Sequence, residues 1–571
     1  MIRAFETHRI RKTRELSSSL WTFYPLSGEH AGRRRLVPVP GCWESWPDTR
    51  TYRGKAIYER SFEAEGNIRL VFKGVSHTAK IFLDGKQIAS HYNAYTPFEA
   101  LVTGLADGTH TLKVEVDNSY GPASTLHIPN DYQSYGGITR GVLLEMPGDV
   151  FILKIHFTPF RKGTADMWYG TVRCSLYALT DEPVSGTLAL NLNGSEICSL
   201  PVSFRGQGEQ TIEFPVLTFP GVKTWSPGAP HLYHLQAIFR DSQGNAVDDL
   251  IERIGFREIA VDGRRLLLNG EPFLIRGFCR HEDHPDFGCA IPFQIMYEDL
   301  SMMKDMGANA VRTVHYPNDE LFLDLCDELG MLVWEEGHAR GLTQQQMQSG
   351  LFLEQSLTGI REMVEAHYNH PSIGIWGFLN ECASDTLFGK DCYQKHYDLL
   401  RSLDPSRPSS FATCAKGTDL CLGIPDIVSF NLYPEWYEPE SADVFFTKLL
   451  CWIEEETQGS GKPFLITETG AGALYGYRTP YHVKWSEEYQ QTALRNQLTA
   501  VSRLVEERRC IGVFLWQFCD VRVSDEWFFS RPRTMNNKGI VDEYRRPKLA
   551  YDTIKELWND FDALEDNVHF S

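Results

Sequence analysis

Eight short apolar runs recur at intervals along the second half of the chain, each followed by a turn signal: FLIRG (273–277), NAVRT (309–313), MLVWEE (331–336), IGIWG (373–377), SFAT (410–413), IVSFN (427–431), FLITE (464–468) and GVFLWQ (512–517). Amphipathic stretches of helical period lie between most of them, among them YEDLSMMKDM before Gly307, ELFLDLCDEL before Gly330 and EEYQQTALRNQLTAVSRLVEE. Short strands alternating with helices spell a parallel sheet. Eight such units in about 300 residues predict a closed (β/α)8 barrel, in which reactive groups sit at the C-terminal ends of the strands.

The upstream half has a different grammar. Runs such as AIYERSFEA (56–64), IRLVFKGV (68–75), AKIFLDGKQI (79–88) and HTLKVEVDN (110–118) alternate apolar and polar residues, as antiparallel strands of a sandwich do. A second set, TVRCSLYAL, GTLALNLNG, EQTIEFPV and HLYHLQAIF, is spaced as in an immunoglobulin-like domain. A chain of 571 residues exceeds one hydrophobic core, and the changes of pattern divide it at 1–148, 149–257 and 258–571.

Charge narrows the partners. With 75 acidic against 56 basic residues and a net charge of -19, neither nucleic acid nor an anionic membrane is expected as a partner. No run of about 18 apolar residues predicts a membrane span, and MIRAFETHRI carries no apolar segment of a secretory signal. The 13 cysteines are scattered without CxxC pairs, which reads as reduced thiols and a cytoplasmic location. HEDH (281–284) lacks the spacing that sets two imidazoles one helical turn apart, so no metal and no cofactor is expected.

The fourth and seventh predicted strands end in glutamate, Glu381 behind Asn380 and Glu468 behind Thr467. Two carboxyls facing one barrel mouth suit glycoside hydrolysis, one protonating the leaving oxygen and the other attacking the anomeric carbon. The blocks GFCRHEDHPDFG, NAVRTVHYPND, IWGFLNE and LITETG resemble the signatures of glycoside hydrolase family 2, and the resemblance runs over essentially the whole chain. It implies a jelly-roll domain of sugar-binding type, an immunoglobulin-like sandwich and a C-terminal (β/α)8 TIM barrel, usually assembled as a dimer or tetramer. It also implies Glu381 as acid/base and Glu468 as nucleophile, retention of configuration, and carboxyls ~5 Å apart. In those roles Glu468 is ionised and Glu381 protonated at neutral pH. The resemblance further implies Asn380 on the sugar 2-hydroxyl, Tyr433 bonded to the nucleophile with Tyr437 close by in FNLYPEWY, His315 lining the pocket and Trp516 as its floor.

The stretch RTMNNKGIVD (533–542) follows the eighth strand and overhangs the same mouth. A neutral hexose needs no ammonium there, whereas a uronic acid presents a carboxylate that an amide and an ammonium would clamp. Asn536-x-Lys538-Gly539 resembles the motif by which β-glucuronidases of the bacterial, gut type select uronides, and Asp131 in IPNDYQSYGGITR resembles their aspartate reaching in from the first β domain. Arg531 and Arg533 lie nearby, with two readings open for each: added positive field at the mouth, or a surface position. The first expectation is hydrolysis of small-molecule or oligosaccharide β-glucuronides. One departure qualifies it: EEGHARGLTQQQMQSG places His338 and Arg340 after the third strand, and a guanidinium there would suit an axial 4-hydroxyl. A β-galacturonidase or a dual enzyme is the alternative, ahead of a β-galactosidase or a non-catalytic carbohydrate-binding protein. The segment 341–356 is too short for a long lid, which predicts an open mouth.

Overall fold

A computed structural model describes residues 1–163 and 167–569. Eight parallel strands close into a barrel: Ile275–Arg280, Ala310–Thr313, Leu332–Glu336, Ile373–Gly377, Ser409–Thr413, Ile427–Asn431, Phe464–Thr469 and Gly512–Leu515. The last pairs with the first through Ile275 and Gly512. Alternate side chains fill the barrel and pack the helices: Ile275 and Cys279 belong to the inner cluster with Trp334, Leu465 and Phe514, while Phe278 joins the layer beneath the helices. All eight predicted strands are present. The first is displaced toward the C-terminus, because Arg280, which looks like a loop residue, is fully buried and bonds Asp299 and Asn318 at 2.9 Å each.

The two β units precede the barrel. In the first, eight antiparallel strands form one sheet around a single core. The runs read as 56–64 and 68–75 form one strand, Lys55–Phe72, paired with Phe98–Asp117 through register slips around Gly66. The run 79–88, read as one strand, is instead a hairpin of Thr78–Leu83 and Lys86–Tyr92. Its turn residues Asp84 and Gly85 both have positive φ, 49° and 85°, the geometry that Asp-Gly favours. The second unit stacks two four-stranded sheets, one holding Val150–Arg161 and Trp168–Ala178, the other Val184–Leu192 and Tyr233–Asp241.

Buried ion pairs fix the first sandwich on the barrel mouth. Arg140 donates to Glu282 at 2.8 Å and to the Pro317 carbonyl at 2.6 Å. This brings the loop around Asp131 over the strand ends. The HEDH side chains take separate protein partners: His281 contacts Tyr316, Glu282 takes Arg140, and Asp283 accepts from Tyr135. Among the described residues one buried cluster, Asp324, Asp327 and His370, has a metal-like spacing, but Arg3 binds both oxygens of Asp324 and His370 lies 2.6 Å from Asp327. No helix among the described residues is long and apolar enough to cross a membrane.

Candidate active site

One hydrogen-bond network joins the ends of five barrel strands. On the seventh, Glu468 accepts from Arg312 Nη1 at 3.1 Å and from the Tyr433 hydroxyl at 2.6 Å. Arg312, from the second strand, forks onto Glu336 at the end of the third (2.9 and 3.1 Å) and reaches Asn380 Oδ1 at 2.8 Å. Asn431, ending the sixth, donates to the same Asn380 oxygen at 3.1 Å and to Glu381 Oε1 at 3.0 Å. Both glutamates therefore face one mouth. Glu381 and Leu379 adopt left-handed backbone, φ 50° and 51°, a conformation that surrounding structure must impose on residues with a side chain.

The carboxyls sit in unlike settings. Burial, together with the charge of Glu381, pushes Glu468 up to about 8 against the opposing pull of Arg312 and Tyr433. This direction is the reverse of the ionised Glu468 expected from the sequence, because strand seven carries that carboxyl deeper than a strand end suggests. Glu381 is more open and lies 3.3 Å from Arg340. His315 has its Nδ1 2.8 Å from Glu336 and stacks on Trp516 at 5.1 Å; burial first, then Arg312 and Arg340, hold its pKa far below the ordinary value, so the ring is neutral. Trp516, 2% exposed, thus floors His315.

A second group of charges closes the other side. Asn130 and Asp131 are pinned to the barrel: Ser524 bonds the Asn130 backbone at both ends, and Arg340 Nη1 donates to Asn130 Oδ1 at 2.6 Å. Asp131 is flanked by Arg340 at 3.4 Å and Arg531 at 3.1 Å, and receives Asn536 Nδ2 at 3.3 Å. Burial raises its pKa, but these guanidiniums and Lys538 outweigh that and hold the carboxyl below its usual range. Lys538 is 3% exposed and makes no ion pair with a carboxylate among the described residues. Its ammonium instead donates to the Tyr437 hydroxyl at 2.8 Å and lies 5.0–6.0 Å from the ring centres of Tyr433, Trp436 and Tyr437. Burial lowers the Lys538 pKa, and Arg531 lowers it further.

Within this pocket Asn380 Nδ2, His315 Nε2 and Asn536 Oδ1 are buried without a protein partner among the described residues. Buried polar atoms are ordinarily satisfied, so a donor, a nitrogen and an acceptor left open together mark a place for a polar ligand. Glu381, Glu468, Asn380, His315, Tyr433, Tyr437, Trp516, Arg340, Asp131, Arg531, Asn536 and Lys538 come together here, whereas Arg533 pairs with Glu543 away from the mouth and His338 lies 3.1 Å from the Tyr132 hydroxyl. Asn537 turns away, its amide donating to the Pro532 and Met535 carbonyls. Sequence reasoning missed Arg312, Glu336 and Asn431. The first two carried a signal, since a charge inside a short apolar strand such as NAVRT or MLVWEE has to be neutralised within the barrel.

The model of the family described as "Glycosyl hydrolases family 2, TIM barrel domain" matches residues 259–563. The chain belongs to glycoside hydrolase family 2. The galactose-binding domain-like model of family 2 matches residues 44–155, and a third family 2 model matches 166–257. Among family 2 members, the chain is 26% identical to the β-glucuronidase of Paenibacillus borealis, over 92% of this chain and 91% of that protein. It is 55% identical to a family 2 β-galacturonidase from Eisenbergiella tayi, solved with bound galacturonate, with a TM-score of 0.96 over 98% of this chain and 99% of that one. A β-glucuronidase structure from Bifidobacterium dentium is 25% identical, with a TM-score of 0.86 over 97% and 98%. This protein is therefore a family 2 glycoside hydrolase, with β-sandwich domains before its TIM barrel.

Proposed function

We propose that this enzyme hydrolyses β-uronides with retention, favouring β-galacturonides and taking β-glucuronides second. The observation that carries the uronide reading is Lys538, an ammonium taken out of water with no carboxylate at ion-pair distance among the described residues, Asp131 acting on it only from farther off. Burying such a charge is costly unless something pairs with it, and a substrate carboxylate held by Lys538 and Asn536 supplies the missing charge. Asp131, 3.3 Å from Asn536, then falls where the adjoining 4-hydroxyl lies. Arg340 stands between Asp131 and Glu381. An equatorial hydroxyl stays near the ring plane and an axial one leaves it, so a donor on the acid/base side favours the axial epimer. The likeness to the Eisenbergiella tayi galacturonidase supports placing this epimer ahead of the glucuronide that the sequence motif alone suggested.

In the reaction Glu381 protonates the glycosidic oxygen as Glu468 attacks the anomeric carbon, and water then releases the sugar from the glycosyl-enzyme with Glu381 acting as base. Glu468 must lose its proton first, and Arg312 and Tyr433 are the donors that stabilise the resulting carboxylate. Asn380 Nδ2, free because its oxygen is held by Arg312 and Asn431, is available to the 2-hydroxyl.

Initial rates on four aryl glycosides, the β-galacturonide, β-glucuronide, β-galactoside and β-glucoside, test this directly. Turnover confined to the uronides, led by the galacturonide, is the expected result. Arg340→Ala should narrow the ratio between the two uronides. Turnover of the neutral glycosides alone would overturn the role given to Lys538.

A further inference from the structure

Two of the cavities away from the catalytic mouth are lined by buried charges. One, of about 660 Å³, runs under the N-terminal segment, but its buried acids are already matched: Glu145 by Arg11 and Arg69, Glu320 by Arg3 and Lys73. The other, of about 270 Å³, opens between the first sandwich and the barrel. Its lining sets Glu44, Asp283 and Glu543 beside Arg50, Arg522 and Arg533; burial pushes Glu44 up to about 8, and its carboxyl already accepts from the Asn118 amide and the Gly136 N–H.

Three features of this second cavity point to a ligand. Glu543 is 5% exposed; Arg533 bonds its Oε1, while Oε2 is buried with no hydrogen-bond partner among the described residues. Tyr544, half exposed, stands at the edge, backed by His284 at 6.0 Å and Arg546 at 5.7 Å. The volume lies just under the about 300–1,000 Å³ of drug-sized sites, room for one sugar ring. Guanidinium donors beside the open Glu543 oxygen suit vicinal hydroxyls, each of which both donates and accepts. A half-exposed tyrosine offers an apolar face to the C–H side of a pyranose.

The cavity also stands back to back with the uronide pocket. Met535 and Asn536 form a short strand paired with Val521–Arg522. Successive side chains on a strand point to opposite faces; Met535 lines this cavity while Asn536 reaches Asp131.

We propose that this cavity is a second, non-catalytic carbohydrate site that takes a single neutral pyranose. Neutral rather than acidic sugars follow from the open Glu543 oxygen, which would meet an acidic sugar with like charge, and the site does not depend on which uronide the mouth accepts.

The test is saturation-transfer NMR on the full-length enzyme with methyl β-D-galactopyranoside and methyl β-D-glucopyranoside at up to about 50 mM, where millimolar affinity registers. Transfer to at least one of them is expected with wild type and with Asn380→Ala. It should fall about fivefold or more in Tyr544→Ala, return in Tyr544→Phe, and weaken in Glu543→Gln, while Tyr544→Ala keeps uronide kcat/KM within about twofold of wild type. A melting curve on each variant confirms that it is folded; Tyr544 is exposed enough for its removal to be tolerated. Absence of transfer to wild type overturns the proposal. So does transfer that survives Tyr544→Ala unchanged or vanishes in Asn380→Ala, which would place the sugar in the catalytic mouth.

Discussion

Lys538 and Glu468 are both held in the charge state that burial disfavours when they act, and each has a measurable signature. Truncating Lys538 to alanine removes the proposed partner of the substrate carboxylate, a loss of about 2–5 kcal/mol for a desolvated charge pair. Uronide kcat/KM should fall by orders of magnitude, with turnover of neutral glycosides left low; a Lys538→Ala enzyme that keeps its uronide efficiency would contradict the assignment. For Glu468, a carboxyl whose folded pKa stands near 8 instead of 4.5 makes the folded state bind more protons than the unfolded chain. The associated cost to stability is absent below about pH 4.5, grows as pH rises, and is complete above about 8. Glu468→Gln removes the titration. The melting temperature of Glu468→Gln minus that of wild type should therefore climb between pH 5 and pH 8, and a difference that stays flat across this window would mean that Glu468 does not titrate there.

At the scale of elements, the loop after the eighth strand shows why its motif ends in glycine. A Cβ at Gly539 would lie 2.2 Å from the Asp520 nitrogen and 2.3 Å from the Val541 oxygen, both backbone. The Gly539 N–H also donates to Asp520 Oδ1 at 2.8 Å, where Lys548 joins at 2.8 Å. Gly539→Ala must shift this backbone, at an overpacking cost of about 1–3 kcal/mol. Lower thermal stability and a raised KM for uronides are expected, since Lys538 moves with the loop; unchanged values of both would show that the loop has slack. The barrel strands were legible in the sequence because a buried parallel strand is written as an uninterrupted apolar run. The first strand was shifted because burial of Arg280 depends on Asp299 and Asn318, partners distant in sequence. The hairpin at Asp84-Gly85 was hidden because a two-residue turn leaves the apolar alternation on either side almost continuous. Glu381, Glu468 and Lys538 could be found from position and charge together, whereas Asn431 also ends a predicted strand but is an uncharged amide: its importance lies in touching Asn380 and Glu381 at once.

Across the whole molecule, the first sandwich and the barrel form one site. Arg140 is the buried connector, with Glu282 and the Pro317 carbonyl as its barrel partners. Replacing it with leucine strands Glu282, and breaking one side of a buried pair costs about 3–5 kcal/mol. Arg140→Leu should melt at a markedly lower temperature and lose activity together with stability, as followed by calorimetry and uronide hydrolysis. Retention of both would mean that the sandwich is held on the barrel by other contacts.

The residues proposed to read the sugar are dispersed along the chain, from Asp131 to Lys538, with Glu381 and Glu468 between. The barrel itself closes only when Gly512–Leu515 lies beside Ile275–Arg280. A chain cut before Gly512 therefore cannot close the barrel, and with Lys538 also missing it has no complete version of the proposed site.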